Sequence, residues 1–116
     1  MKFYRVGQSP HGGSMWYDKD GNFVELYNNT EFDFIDKSKI PAMPFCNETA
    51  GFLSVCDNID DIYLWWNKDY YHALEALGFR VWVYEGVTAK WYDKFKHHLI
   101  PVGTEPSDSF KLTDLL

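Results

Sequence analysis

The chain has 116 residues, enough for one domain with a single core and too few for two ordinary domains. Its 17 acidic and 11 basic residues give a net charge of −6, which argues against nucleic-acid binding, because phosphate backbones are bound by clustered Lys and Arg. No stretch approaches the roughly 18 apolar residues of a membrane span. Aromatic residues make up 19% of the chain, so we expect an aromatic core with some rings left for contact surfaces.

The N-terminal part of the chain predicts a strand followed by a β-hairpin. Residues 3–6 form a short run with high β propensity. Two further runs of this kind, residues 15–17 and 23–27, flank an Asp-Gly pair at residues 20–21. A tight hairpin turn needs positive φ at its centre, which Asp-Gly sequences supply. We therefore predict a hairpin over residues 15–27.

Residues 28–50 are the least regular part of the sequence, because two prolines hold the residues before them extended. Within this stretch, the alternation over residues 32–35 is compatible with a strand. Residues 51–56 form a short apolar run after a glycine, which predicts a buried strand.

Two short helices are predicted next. The first covers residues 58–66 with Asp57 or Asn58 as its cap, and the second covers residues 67–77 with its first residue, an Asn, as the cap. Gly78 follows where a left-handed C-terminal cap is expected. Each helix repeats apolar residues at the spacing of one helical face. These residues are Ile59, Ile62, Tyr63 and Trp66 in the first helix and Tyr70, Ala73, Leu74 and Leu77 in the second.

The last third of the chain predicts a half-buried strand and a polar tail. Residues 79–85 alternate in polarity, as expected for a strand with one buried face. Residues 91–100 predict a short helix followed by a strand. The tail, residues 104–116, is expected to be loosely attached to a single domain over residues 1–103. The resulting fold class is α+β: a small, mostly antiparallel sheet with an N-terminal hairpin and two short helices in mid-chain.

Metal and thiol chemistry have little support in the sequence. His97 and His98 are adjacent, so in a strand they point to opposite faces and cannot chelate one ion, and no other metal-ligand spacing is present. We predict no metal site. Cys46 and Cys56 are expected to be reduced. Cys56 directly precedes a predicted helix, which could lower its pKa, but an inert core cysteine is the favoured interpretation.

Arg5, Ser54 and Glu85 lie on or at the ends of three predicted strands. The Tyr4-Arg5 pair and the Ser54 strand resemble motifs of the ADP-ribosyltransferase fold. That resemblance implies a catalytic trio in which Arg5 and Ser54 orient NAD and Glu85 stabilises the developing positive charge. Two features depart from the family: there is no Ser-Thr-Ser motif, and Glu85 comes early in the chain. An ordinary cross-strand ion pair between Arg5 and Glu85 is the alternative interpretation.

A second resemblance covers the chain to about residue 100. The sequence resembles a family of small proteins from tailed phages and prophages. The matching segments are Tyr4-Arg5-Val6, residues 15–23, Met43-Pro44-Phe45, residues 51–55, Leu64-Trp65-Trp66 with the following Leu-x-x-x-Gly-Phe step, and residues 91–97. The resemblance implies a virus-encoded protein in a bacterial host cytoplasm. Such proteins often inhibit a host enzyme or defence complex, as anti-CRISPR proteins do.

The leading hypothesis is therefore a non-enzymatic binder of a host protein, with no cofactor. Aromatic anchors would be desolvated at the centre of the contact, and acidic residues would steer it to a basic partner. The predicted contact residues are Trp16, Tyr17, Trp65, Trp82 and Trp91 together with Asp18, Asp20, Asp60 and Asp61. An NAD-dependent transferase is the alternative, and an accessory protein without activity is a third hypothesis. Neither the partner nor the oligomeric state follows from the sequence.

Overall fold

A computed structural model describes residues 1–10, 51–93 and 97–116. It contains two α-helices and six strands, all paired antiparallel, which confirms the predicted α+β class. In chain order the elements are β1 (Lys2–Gly7), β2 (Phe52–Val55), α1 (Ile59–Trp65), a 3₁₀ turn (Lys68–Tyr70), α2 (Tyr71–Ala76), β3 (Arg80–Glu85), β4 (Lys90–Tyr92), β5 (His97–Pro101), β6 (Asp108–Phe110) and a second 3₁₀ turn (Leu112–Leu115). The hairpin predicted over 15–27 and the strand considered at 32–35 lie outside the described residues.

The strands form two three-stranded sheets that meet at one bridge. One sheet has the order β1-β3-β6 and the other the order β2-β5-β4. Tyr4 on β1 pairs with Cys56 just after β2, through backbone bonds of 2.7 and 2.9 Å. The strand order therefore runs β4-β5-β2-β1-β3-β6.

The pairing register assigns every strand residue to one of two faces, because paired residues project to the same side of a sheet. The first face packs against α1, α2 and the C-terminal turn, and we call it the helix side. Its main buried cluster comprises Val6, Cys56, Ile62, Trp66, Tyr71, Leu74, Phe79, Val81 and Leu112. The other face, which we call the far side, carries a second cluster. This cluster comprises Phe3, Leu53, Val55, Tyr84 and Ile100.

Both predicted helix caps are confirmed. The Asn58 side chain accepts a hydrogen bond from the Asp61 backbone N–H at 2.9 Å, and Asn67 does the same for Asp69 at 2.9 Å. Gly78 has a φ of 91°, as expected for a residue that ends a helix in the left-handed backbone conformation.

The buried face of the second helix differs from the prediction. Ala73 is exposed, whereas Tyr71 is fully buried. The helix begins as a 3₁₀ turn, Lys68–Tyr70, before α2 starts. A 3₁₀ turn has about 3.0 residues per turn instead of 3.6, so it rotates the face relative to a continuous α-helix.

Two expectations for the end of the chain are wrong. A strand, Lys90–Tyr92, stands where the short helix predicted from residue 91 would begin, whereas the strand predicted after that helix is present as His97–Pro101. The segment 104–116 is not loosely attached: β6 pairs with β3, and Leu112 is fully buried. The Tyr63 hydroxyl also donates to the Leu115 carbonyl at 2.9 Å. Polar residues dominate this segment because β6 is the last strand in the described sheet, which leaves few positions that must be apolar.

Candidate protein-binding surface

The three residues predicted as a catalytic trio do not share a cleft. Arg5 pairs with Trp82 and therefore faces the far side, whereas Glu85 pairs with Lys2 on the helix side. Ser54 is also on the helix side, but the bridge register places it and Glu85 at opposite strand ends, about 13 Å apart along the strand direction. The geometry separates the trio that an NAD-dependent transferase would need.

Arg5 is held as part of the core. Only 4% of the residue is exposed, and its Nη1 donates to the Ser9 carbonyl at 3.0 Å. Burial lowers the pKa of Arg5, while the neighbouring Tyr84 acts in the opposite direction. The Tyr84 hydroxyl donates to the Pro10 carbonyl at 2.6 Å. These contacts satisfy buried polar groups and indicate a structural role for Arg5.

Ser54 and His97 form a hydrogen-bonded pair through Oγ and Nδ1. Such a pair is the arrangement that nucleophilic catalysis uses. Here His97 is only 6% exposed, and the Trp65 ring stacks on it with centroids 4.8 Å apart. Burial lowers the pKa of His97, partly offset by Asp61. The Trp65 ring covers the imidazole, so the pair serves packing and polar satisfaction.

Cys56 is an inert thiol. It is 2% exposed, and its Sγ lies 3.5 Å from the Tyr4 carbonyl. Burial, with a smaller contribution from Asp61, raises the pKa of Cys56 to about 12. The alternative of a lowered pKa beside the helix is wrong, because desolvation outweighs any effect of the short helix.

The residues predicted for partner contact fall into three groups. Trp16, Tyr17, Asp18 and Asp20 lie outside the described residues. Trp82 is on the far side, where its indole N–H donates to the Gly7 carbonyl at 3.0 Å, so it contributes to the core.

The third group lies on α1. Asp60 is exposed, Asp61 is half-buried, and Trp65 is occupied by its stack on His97. Trp82 is engaged by the Gly7 carbonyl and packs against the far-side cluster, so it does not join the two α1 aspartates in one exposed surface.

Trp91 is the exposed aromatic residue of the described chain, with 48% of its surface accessible. It lies on β4 directly across from His98, and the two rings are 4.8 Å apart between centroids. Its indole N–H donates to Asp93 Oδ1 at 3.4 Å. These contacts hold the ring in one orientation while leaving half of it open to solvent.

Acidic side chains continue from Trp91 to α1. His98 Nε2 lies 3.5 Å from Asp57 Oδ2. Asn58 Nδ2 then donates to Asp57 Oδ1 at 2.9 Å and to Asp61 Oδ2 at 3.1 Å. The resulting surface, which we call the acidic–aromatic patch, consists of Trp91, Asp93, His98, Asp57 and Asp61.

Sequence reasoning named Trp91 and Asp61 for this surface but missed the other three members. Asp57, Asp93 and His98 join it through the β4–β5 register and the Asn58 cap. The signal that could have found them is the Trp91–His98 cross-strand pair, which was hidden because a helix was predicted to begin at residue 91.

Within the ranges 1–10, 51–93 and 97–116, no group of three or more His, Cys, Asp or Glu residues is arranged to hold a metal ion. None of the helices in these ranges is long and apolar enough to cross a membrane. No protein-family model matches the chain, and comparison with curated proteins and with solved structures gives no significant match.

Proposed function

We propose that the protein is a non-enzymatic binding protein whose acidic–aromatic patch contacts a basic surface of a partner protein. The phage resemblance of the sequence suggests a bacterial host protein or defence complex as the partner, in the host cytoplasm. Inhibition then follows from occupying a surface that the partner needs, as in an anti-CRISPR or similar anti-defence role. No cofactor takes part in this function.

The observation that carries the proposal is the exposed, oriented ring of Trp91. Trp is among the residues most enriched at the energetic centres of protein interfaces. A ring already fixed by His98 and Asp93 loses little conformational entropy on binding. Its remaining exposed half offers apolar area to a partner.

Charge supports the choice of a basic partner. Asp93 contacts the ring directly, and Asp57 and Asp61 are linked to it through His98 and Asn58. The whole chain carries a net charge of −6. Such a surface attracts Lys and Arg side chains and speeds association at low salt. Binding should therefore weaken as the salt concentration rises.

The transferase alternative has no comparable support. Arg5 is buried on one side of the sheet and Glu85 is exposed on the other. An NAD molecule positioned by Arg5 could not reach Glu85 without a rearrangement of β1 and β3.

Replacing Trp91 is expected to weaken capture of the partner strongly. Immobilised wild-type protein and the Trp91→Ala and Asp57→Asn variants would be exposed to bacterial lysate, and retained proteins quantified by mass spectrometry. Loss of an anchor costs about 2 kcal/mol or more, so Trp91→Ala should weaken binding about 30-fold. Asp57→Asn removes a charge nearer the rim, so we expect a loss of about 2- to 10-fold.

Two matched variants serve as controls. His72→Ala removes an exposed ring on α2, and Asp69→Asn removes an exposed carboxylate beyond the far end of α1. Both should retain the partner at the wild-type level. A partner held equally well by wild type and by a folded Trp91→Ala variant would refute the proposal.

A further inference from the structure

A groove runs along β3 on the helix side of the sheet. Its floor is Val83, which pairs with Tyr4 on β1 and with Asp108 on β6. Lys2 and Tyr4 from β1 and Asp108 and Phe110 from β6 line the groove on either side of β3.

Apolar and polar side chains line the groove side by side, and Asp108 lies level with Val83 at its floor. Ile59 and Leu115, from the layer above the sheet, add to its apolar lining together with Phe110. At the end of the groove, where β1 begins and β3 ends, Lys2 and Glu85 pair across the two strands. The groove encloses about 470 Å³, within the range of roughly 300–1,000 Å³ typical of ligand pockets.

Two carboxylates and one ammonium line the groove, giving a net negative charge. Glu85 and Asp108 are both exposed, and they lie on neighbouring strands two residues apart in register, on the same face of the sheet. Asp108 Oδ1 accepts the Ser109 backbone N–H at 2.7 Å, which fixes the carboxylate in place. An occupant without positive charge would desolvate these carboxylates without compensation.

The groove and the acidic–aromatic patch both reach the same end of the strands. Lys2 begins β1 and Glu85 ends β3, while Asp57 follows the end of β2 and His98 lies at the start of β5. Six strands at about 4.8 Å spacing make this end of the sheet about 24 Å wide. By register the groove faces the helix side, whereas Trp91 and His98 face the far side. One protein partner with a contact of ordinary size, about 800 Å² on each side, therefore reaches both features by covering the strand ends between them.

We infer that the groove receives an arginine side chain of the partner protein, an inference that rests on the proposed binding function. The aliphatic stem of the arginine lies against Val83 and Leu115. Its guanidinium reaches Glu85 and Asp108, whose oxygens accept its fork of N–H donors. The ring of Tyr4, which pairs with Val83, adds cation–π attraction.

A capped tripeptide, acetyl-Gly-Arg-Gly-amide, is the probe for this inference. It would be titrated into the full-length ¹⁵N-labelled protein, with the citrulline peptide, which has the same shape without charge, as its match. We expect saturable amide shifts around Val83 and Asp108, with a dissociation constant on the order of millimolar for so small a ligand. The citrulline peptide should bind at least about 10-fold more weakly.

Two variants separate this inference from the proposed function. The Glu85→Gln/Asp108→Asn double variant should weaken the arginine peptide at least about 10-fold, whereas Trp91→Ala should leave it unchanged. Absence of shifts at the groove, or equal binding of arginine and citrulline peptides, would overturn the inference. In that case capture of a partner through Trp91 would remain a separate result.

Discussion

Raising the pH from about 9 to about 12 is expected to destabilise the protein strongly, with Cys56 as one main cause beside the buried Tyr71 and Tyr84. Burial raises the pKa of this thiol from 9.0 to about 12 in the folded chain. The unfolded chain therefore releases the proton first, so the stability is complete below pH 9 and is lost as the pH approaches 12. At 1.4 kcal/mol per pH unit, the contribution is about 4 kcal/mol.

The Cys56→Ala variant isolates this effect. Urea unfolding followed by far-UV circular dichroism at several pH values should give a shallower decline of the free energy of unfolding than in wild type. A smaller decline should remain, because burial also raises the pKa of Tyr71 to about 12 and raises that of Tyr84. If the free energy of unfolding fell equally steeply with pH in the two proteins, Cys56 would have an ordinary pKa. Rapid alkylation of Cys56 in the folded protein at pH 8 would show the same.

Replacing Leu112 by Ala is expected to lower the free energy of unfolding by about 2–5 kcal/mol, although the residue is only four positions before the last one of the sequence given. Leu112 is fully buried in the core cluster between the sheet and the helices. Truncation of such a leucine loses its transfer free energy and leaves a cavity that the surroundings fill only partly. Chemical denaturation of both proteins measures the difference.

The matched control is Leu116→Ala, because this leucine is 59% exposed. It should change the stability by no more than about 0.5 kcal/mol. If both variants were equally stable, the segment 104–116 would be a loosely attached tail after all, and the packing described here would be wrong.

The helical part of the fold could be predicted because its signals are local. Asn58 and Asn67 each cap the helix that begins beside them, and Gly78 supplies the positive φ at the end. The 3₁₀ turn at the start of the second helix was not predicted. This small change in winding moves Tyr71 into the core, but the number of apolar residues in the segment is the same for either kind of helix.

The sheet was harder to predict because its pairings join distant parts of the chain. β1 pairs with β3 nearly eighty residues later, and Tyr4 meets Cys56 in the bridge between the sheets. β6 has a single apolar residue, because one of its three positions is exposed and the other two are only half-buried, and this polarity resembles that of a free tail. The pairing register of distant strands cannot be predicted from a short segment of sequence.

The candidate site shows the same division. Trp91 and Asp61 could be named from residue type alone, as an aromatic anchor and a neighbouring acid. Their link through His98 and Asp57 depends on the β4–β5 register. The same register argument separates Arg5 from Glu85, which alternation within single strands could not reveal.

The most direct test of the binding account is to map the contact on the ¹⁵N-labelled protein with the partner recovered by capture. The account predicts that amide signals of Asp57, Trp91, Asp93 and His98 shift or broaden most, because these residues form the acidic–aromatic patch. Changes confined to α2 and the C-terminal turn, with the patch signals unmoved, would contradict it.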